Sequence, residues 1–207
     1  PKADLRRAPP VIRGGGSCQQ QVVRAAAPVN MRQYNTASGG CCVGDCRIHL
    51  TNGVRRKAED IRKGDEVITY STFKDKKGRY HETMHQSKIE CVIKTYCDNN
   101  QELMIHIGNL KITPYHPIID ISTGDKEWCF PSSKSVSKLI QCKEIYTFVT
   151  ESRQHLIVEG YIFATLGHNS HGDIIYHNYL GSDRVINDLK KFDSYSDGYV
   201  NLTKSMY

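Results

Sequence analysis

Beyond residue 41 the apolar positions fall in short runs, alternating or continuous, each closed by turn-forming residues. Strands are predicted over 46–50, 54–57, 66–71, 88–96, 103–107, 110–113, 118–121, 126–130, 145–150, 155–158 and 161–165. Their separators include Gly64-Asp65, Asp98-Asn99-Asn100, Gly108-Asn109, Thr123-Gly124-Asp125 and Glu159-Gly160. Thr51-Asn52-Gly53 predicts a hairpin between the first two runs, because Asn-Gly accepts the positive φ that such turns demand. Strand signals this dense predict an all-β domain. The one helical pattern comes late: Val185, Leu189 and Phe192, at i, i+4 and i+7, line one face, with Ser182 or Asp183 as the cap, so a short C-terminal helix is predicted over about 183–192.

Residues 1–40 have another texture, with Pro9-Pro10, Gly14-Gly15-Gly16, Gln19-Gln20-Gln21, Ala25-Ala26-Ala27 and Gly39-Gly40 and little apolar period. They read as a flexible leader or linker ahead of a domain over 41–166, with 167–207 a C-terminal extension that carries the helix. The chain opens on Pro1 without an initiator Met and is expected to be a piece of a longer polypeptide. The net charge of +6 changes this picture little, because Lys2, Arg6, Arg7, Arg13, Arg24 and Arg32 face only Asp4 in the leader, leaving +1 for the body. A near-neutral body offers no basic stripe, so neither nucleic acid nor an anionic membrane is an expected partner. No apolar run reaches the roughly 18 residues that span a bilayer, and a soluble monomer is expected.

The chain holds eight cysteines, at 18, 41, 42, 46, 91, 97, 129 and 142, in a sequence rich enough in core residues to fold without crosslinks. They are expected as thiols, which points to a reducing, cytoplasmic setting. No Cys-x-x-Cys pair occurs, and Cys41-Cys42-x-x-x-Cys46 lacks the spacing of a zinc finger or ribbon, so neither a metal nor another cofactor is expected. His81 and His85 stand at i, i+4 but border a Lys- and Gly-rich stretch over 73–80 that reads as a hairpin tip; they are expected to be solvated loop histidines. Asn201-Leu202-Thr203 fits a glycosylation sequon, a triplet that also arises by chance.

Three blocks, in order, carry a resemblance. The first is Gly40-Cys41-Cys42-Val43-Gly44-Asp45-Cys46-Arg47-Ile48-His49-Leu50, followed by Asn52-Gly53 and by 60–67, with its Gly64-Asp65-Glu66-Val67 step. The second is Leu110-Lys111-Ile112-Thr113-Pro114-Tyr115-His116-Pro117, and the third runs from Tyr146-Thr147-Phe148-Val149-Thr150 to His155-Leu156-Ile157-Val158 and Gly160-Tyr161-Ile162. Together they resemble the Hint (hedgehog/intein) autoprocessing domain, which implies a horseshoe-like β fold that opens at a nucleophilic cysteine. The interval to His49-Leu50 selects Cys41 over Cys42 as that residue. A finer resemblance, on Gln33-Tyr34-Asn35, Trp128-Cys129-Phe130-Pro131, Thr165-Leu166-Gly167-His168 and His177-Asn178-Tyr179-Leu180-Gly181, is to the Hint domains that follow von Willebrand factor A modules in multidomain eukaryotic proteins.

The residues support that chemistry in their own right. The Cys41 thiol can reach the Gly40 carbonyl carbon through a small ring, so attack would convert the Gly40–Cys41 amide into a thioester. An amide is the more stable of the two, so the shift needs a distorted peptide and a proton for the departing nitrogen. Gly40, lacking Cβ, permits both unusual backbone angles and close approach. His116 is the candidate acid, since imidazole titrates near neutrality, and the Thr113 hydroxyl could hold the peptide nitrogen. The resemblance implies the same roles. His155 is a candidate for the oxyanion or a second step.

For that second step the resemblance implies less. Cys97 and Asp98 fall nearest the place of the acid that assists sterol attack in hedgehog proteins, but 167–207 has no apolar sterol-recognition region. His168-Asn169-Ser170 supplies the residue types for intein-like splicing, displaced by several residues; His168, Asn169 and His177 are expected in a surface turn. The expected function is self-processing at Gly40–Cys41, with the upstream polypeptide as substrate and water, a thiol or an amine as the outside nucleophile. The alternative is a catalytically silent interaction module.

Overall fold

The computed structural model describes residues 40–74, 80–124 and 126–203. Residues 1–39 of the leader expected over 1–40, Cys18 among them, the middle of the hairpin tip at 75–79 and Asp125 of its expected turn lie outside the described residues. The described chain is almost wholly β. Its strands are β1 (Cys42–Val43), β2 (Arg47–His49), β3 (Arg55–Lys57), β4 (Glu66–Lys74), β5 (Tyr80–Tyr96), β6 (Gln101–Ile107), β7 (Leu110–Ile112), β8 (Ile118–Asp120), β9 (Lys138–Gln141), β10 (Glu144–Thr150), β11 (His155–Val158), β12 (Tyr161–Phe163) and β13 (Tyr199–Thr203). One helix, α1 (Asp183–Leu189), is present among the described residues.

The strands follow the order β3-β2-β11-β4-β5-β10-β1-β7-β6-β9 in an unclosed, horseshoe-like sheet. Its hinge is β5, whose first half pairs with β4 from Lys74↔Tyr80 to Glu66↔Lys88, and whose second half pairs with β10 from Ile89↔Thr150 to Tyr96↔Glu144. A register shift between Val149 and Thr150 marks the changeover, and such bulges bend a strand. β12 bridges β11 and β8 on one arm, while β13 runs parallel to β5 on the other.

The Asn-Gly hairpin forms as expected: Gly53 takes φ 79°, and the Leu50 N–H donates to the Val54 carbonyl at 2.9 Å. β10 is buried on both faces, which explains its continuous apolar run. The main core gathers Ile48, Val67, Ile105, Ile112, Ile118, Phe148 and Phe163 between the arms. A second cluster joins Ile93 and Val149 of the sheet to Val185, Ile186 and Leu189 of α1 and to Val200 and Leu202 of β13, so the residues after 166 pack directly on β5 and β10.

Some expectations are corrected. The strand expected over 126–130 reduces to one bridge, Cys129 with Ile118, because Pro131 follows at once and opens a tight turn without an N–H to continue the ladder. α1 ends at Leu189, so Phe192 lies beyond it and is 36% exposed, whereas the Ser182 cap is as expected, its Oγ accepting from Arg184 N at 3.4 Å. His81 and His85 lie on β5 rather than in a loop, and both are exposed. None of the seven described cysteines is in a disulfide. Among the described residues no helix is long and apolar enough to cross a membrane.

Candidate active site

β1 is only Cys42–Val43, yet it lies between two strands far away in sequence, with Cys42 opposite Ile112 of β7 and Tyr146 of β10. The pairing continues one residue toward the N-terminus. Thr113 N–H donates to the Cys41 carbonyl at 3.0 Å, and Cys41 N–H donates to Thr113 Oγ1 at 3.0 Å. Cys41 is therefore held by both of its backbone groups to the one threonine, and all of it is buried. The peptide nitrogen that would become the leaving group already has an oxygen aimed at it.

A turn then brings His116 over this junction. Pro114 occupies the second position, where its fixed φ suits a β-turn, and His116 N–H donates to the Thr113 carbonyl at 3.3 Å. The imidazole stacks on Phe163, with centroids 3.8 Å apart and planes at 29°, and it covers Gly40. A Cβ on residue 40 would overlap Nδ1 of this ring and lie 2.6 Å from its Cγ. Glycine is thus required at 40 by close approach. The Gly40-Cys41 pair is thus brought against His116 and against Thr113, 72 residues on from Cys41.

Burial sets the charge state. His116 is 2% exposed, and loss of solvation pulls its pKa down to about 3, against smaller opposing effects of the Gly40 and Ala164 backbone. Neither ring nitrogen reaches hydrogen-bond geometry with those groups. His116 is therefore neutral at rest, and does not titrate near neutrality as expected from the sequence.

Two more histidines continue the cluster. His155, at the start of β11, is buried, with its Nε2 3.0 Å from Ser170 Oγ and its ring 4.7 Å from Trp128 and 4.8 Å from His168. Burial pushes its pKa far down, helped by His168 and His116. His168 is not in an open surface turn: it is wedged against His155, accepts from Ser170 N at 2.9 Å, and burial lowers its pKa to about 4. Asn169 is exposed, as expected, and its Nδ2 donates to Asp183 Oδ1 at 3.2 Å. His177 is buried rather than exposed, its Nδ1 accepting from Tyr179 N and Leu180 N to fasten the turn before α1. Sequence reading gave no sign that His168 meets His155, since the contact depends on how the segment after β12 folds back.

Cys97 and Asp98 fall elsewhere. They follow the end of β5, four and five residues past Ile93, which is the partner of Thr147, and Cys97 N–H donates to the Lys143 carbonyl at 3.0 Å. Cys42, next to the candidate nucleophile, is placed differently: its thiol donates to the Tyr146 carbonyl at 3.8 Å, and the neighbouring Cys46 thiol and burial raise its pKa while Cys42 lowers that of Cys46. Among the described residues no cluster of three or more His, Cys, Asp or Glu is placed to hold a metal.

The depressed histidines make a stability prediction. A group whose folded pKa lies below its unfolded value of about 6.5 binds its proton more readily in the unfolded chain, so stability is full above that value and falls with pH toward the folded values of about 3 and 4. Denaturant midpoints should drop between pH 7 and pH 4.5, and His168→Gln should reduce the drop. A midpoint flat over that interval would show the rings to be solvated.

An open β horseshoe whose first strand is preceded directly by a clamped cysteine, Cys41, defines a Hint domain, and the family comparison agrees. The chain matches the family model of Vint, a Hint domain, over residues 40–207, and it belongs to that family. No curated protein sequence matched it. Among solved structures it is similar to a bacterial intein-like domain from Clostridium thermocellum, at 17% identity and a TM-score of 0.42, over 62% of this chain and 99% of that one. It is also similar to the Ssp DnaB mini-intein variant M86, at 14% identity and a TM-score of 0.42 over 62% and 94%. The TvoVMA intein is 13% identical, with a TM-score of 0.33 over 64% and 99%.

Proposed function

We propose that this domain processes its own chain by moving the Gly40 acyl group from the Cys41 nitrogen to the Cys41 sulfur, after which the upstream segment is cut off or transferred. One observation carries the reading: the Cys41 N–H is bonded to Thr113 Oγ1 at 3.0 Å while the His116 ring lies against Gly40, so both sides of a single peptide bond are gripped by groups that can handle a proton. Neutral His116 takes the thiol proton as sulfur attacks the carbonyl carbon. It then returns that proton to the nitrogen as the C–N bond breaks, with Thr113 orienting the nitrogen. The shuttle closes without any proton from solvent. Burial of the site keeps each hydrogen bond strong and bulk water out of the first step.

The test is intact mass after treatment with hydroxylamine, which attacks thioesters far faster than amides. Release of residues 1–40 as the hydroxamate, leaving 41–207, is expected; an unchanged mass would favour the silent interaction module. A second reading, splicing through Asn169 and Ser170, draws on the hydrogen bond between Ser170 Oγ and His155. The same spectrum addresses it, because splicing would instead release 41–169 and join residues 1–40 to those from Ser170 onward. Attachment behind a von Willebrand factor A module in the parent protein is likewise proposed, on the motifs quoted above.

A further inference from the structure

The site holds a buried hydroxyl that the acyl shift does not use. Thr147 of β10 is 1% exposed, and its Oγ1 makes no hydrogen bond. The β1–β10 register, with Cys42 opposite Tyr146 and Val43 opposite Ile145, continues so as to set Thr147 across from Cys41. Beside it is a cavity of about 20 Å³ lined by Gly40, His116, Thr147, Ala164, Thr165 and His168, among others. One water needs about 10–15 Å³ and at least two polar partners, and the Thr147 hydroxyl and the His116 ring supply them. The space is too small for a thiol or amine co-substrate of any size. A larger pocket of about 510 Å³, bordered by Tyr70, Trp128, His155 and Ser170, lies on the other side of His168, which lines both.

We propose that Thr147 holds one water molecule in the small cavity against the Gly40 carbonyl, and that this water releases the upstream segment, so that the domain hydrolyses itself rather than passing its acyl group to another molecule. The proposal rests on the thioester reading above. The water gives one hydrogen bond to Thr147 Oγ1 and the other to His116, which leaves a lone pair for the carbonyl carbon. The oxygen–carbon bond forms as His116 takes a proton; the carbon–sulfur bond then breaks, and His116 protonates the departing thiolate. The products are a Gly40 carboxyl and a Cys41 with free thiol and amine, and water is the only co-reactant. Thr147 is a positioning residue in this scheme.

Thr147→Val keeps the shape and removes the hydroxyl, and Thr147→Ser keeps the hydroxyl. In buffer made with oxygen-18 water, the wild type should release residues 1–40 carrying the heavy oxygen at Gly40. Thr147→Val should slow that release about 10- to 100-fold while hydroxylamine release, which reports thioester formation, stays unchanged, and Thr147→Ser should restore it. Hydrolysis at the wild-type rate in Thr147→Val would overturn the proposal, as would equal loss of both releases, which would put Thr147 in the acyl shift or the core. If hydroxylamine releases nothing even from the wild type, the thioester reading itself fails, a result separate from a failure of Thr147 alone.

Discussion

Cys41→Ala is expected to leave the Gly40–Cys41 bond whole under every condition that cleaves the parent chain, with no hydroxamate formed at Gly40. The loss should be complete because the other steps have nothing to act on: without sulfur there is no internal nucleophile, and Thr113 and His116 only move protons. The fold should survive, since the side chain is small and β1 is held by backbone bonds on both sides, Thr113 N to Cys41 O among them. Cys42→Ala is the matching control. Its thiol donates to the Tyr146 carbonyl, so its removal should leave cleavage in place. Cleavage persisting in Cys41→Ala but lost in Cys42→Ala would move the nucleophile by one residue and reverse the choice made from the interval to His49.

His116→Ala should slow thioester formation about 10²- to 10⁴-fold, the usual reach of a positioned acid–base group. The ring also fills space between Phe163 and Gly40, so His116→Gln, which keeps volume but cannot shuttle a proton, separates the two contributions. A comparable loss in both variants assigns the effect to proton transfer. The pH profile supplies the second readout. Because His116 stays neutral down to about pH 3, the first step should show no His116 inflection near 6.5 and should fail only as acid protonates the ring. A rate that rises as pH falls through 6.5 would mean that an imidazolium is the working form and that the ring is wetter than its packing implies.

Most of this architecture could be read from residue patterns, and the exceptions share a physical cause. The runs around Asn52-Gly53 and from 145 to 163 announce strands because local turn chemistry and burial agree there. β1 announces nothing: two residues make no period, and it is a strand only because β7 and β10 receive it, from about 70 and 100 residues away. β9 is a mostly exposed edge strand with a polar sequence, and β13 does alternate, Val200 and Leu202 facing inward, within a stretch otherwise too polar to suggest a sheet. At the site, Cys41, Thr113 and His116 were legible because their types and order match a known pattern. Thr147 was not, since a threonine in an apolar strand reads as a β-former until its hydroxyl is found without a partner. The protonation state of His116 was hidden too, for it depends on the Phe163 ring and on β12, which close over it only in the folded chain.

The central claim is that one peptide bond exchanges nitrogen for sulfur, and the chain offers a direct way to watch it. Gly40–Cys41 is the only glycine–cysteine peptide in the sequence, so carbon-13 in glycine carbonyls combined with nitrogen-15 in cysteine makes this one bond visible through its carbon–nitrogen coupling. The account predicts a folded population in which the Gly40 carbonyl has lost that coupling and moved to the thioester region before any fragment appears, whereas Cys41→Ala, with nitrogen-15 placed in alanine instead, shows only the coupled amide. A carbonyl that stays coupled to nitrogen until the moment the upstream segment separates would contradict it.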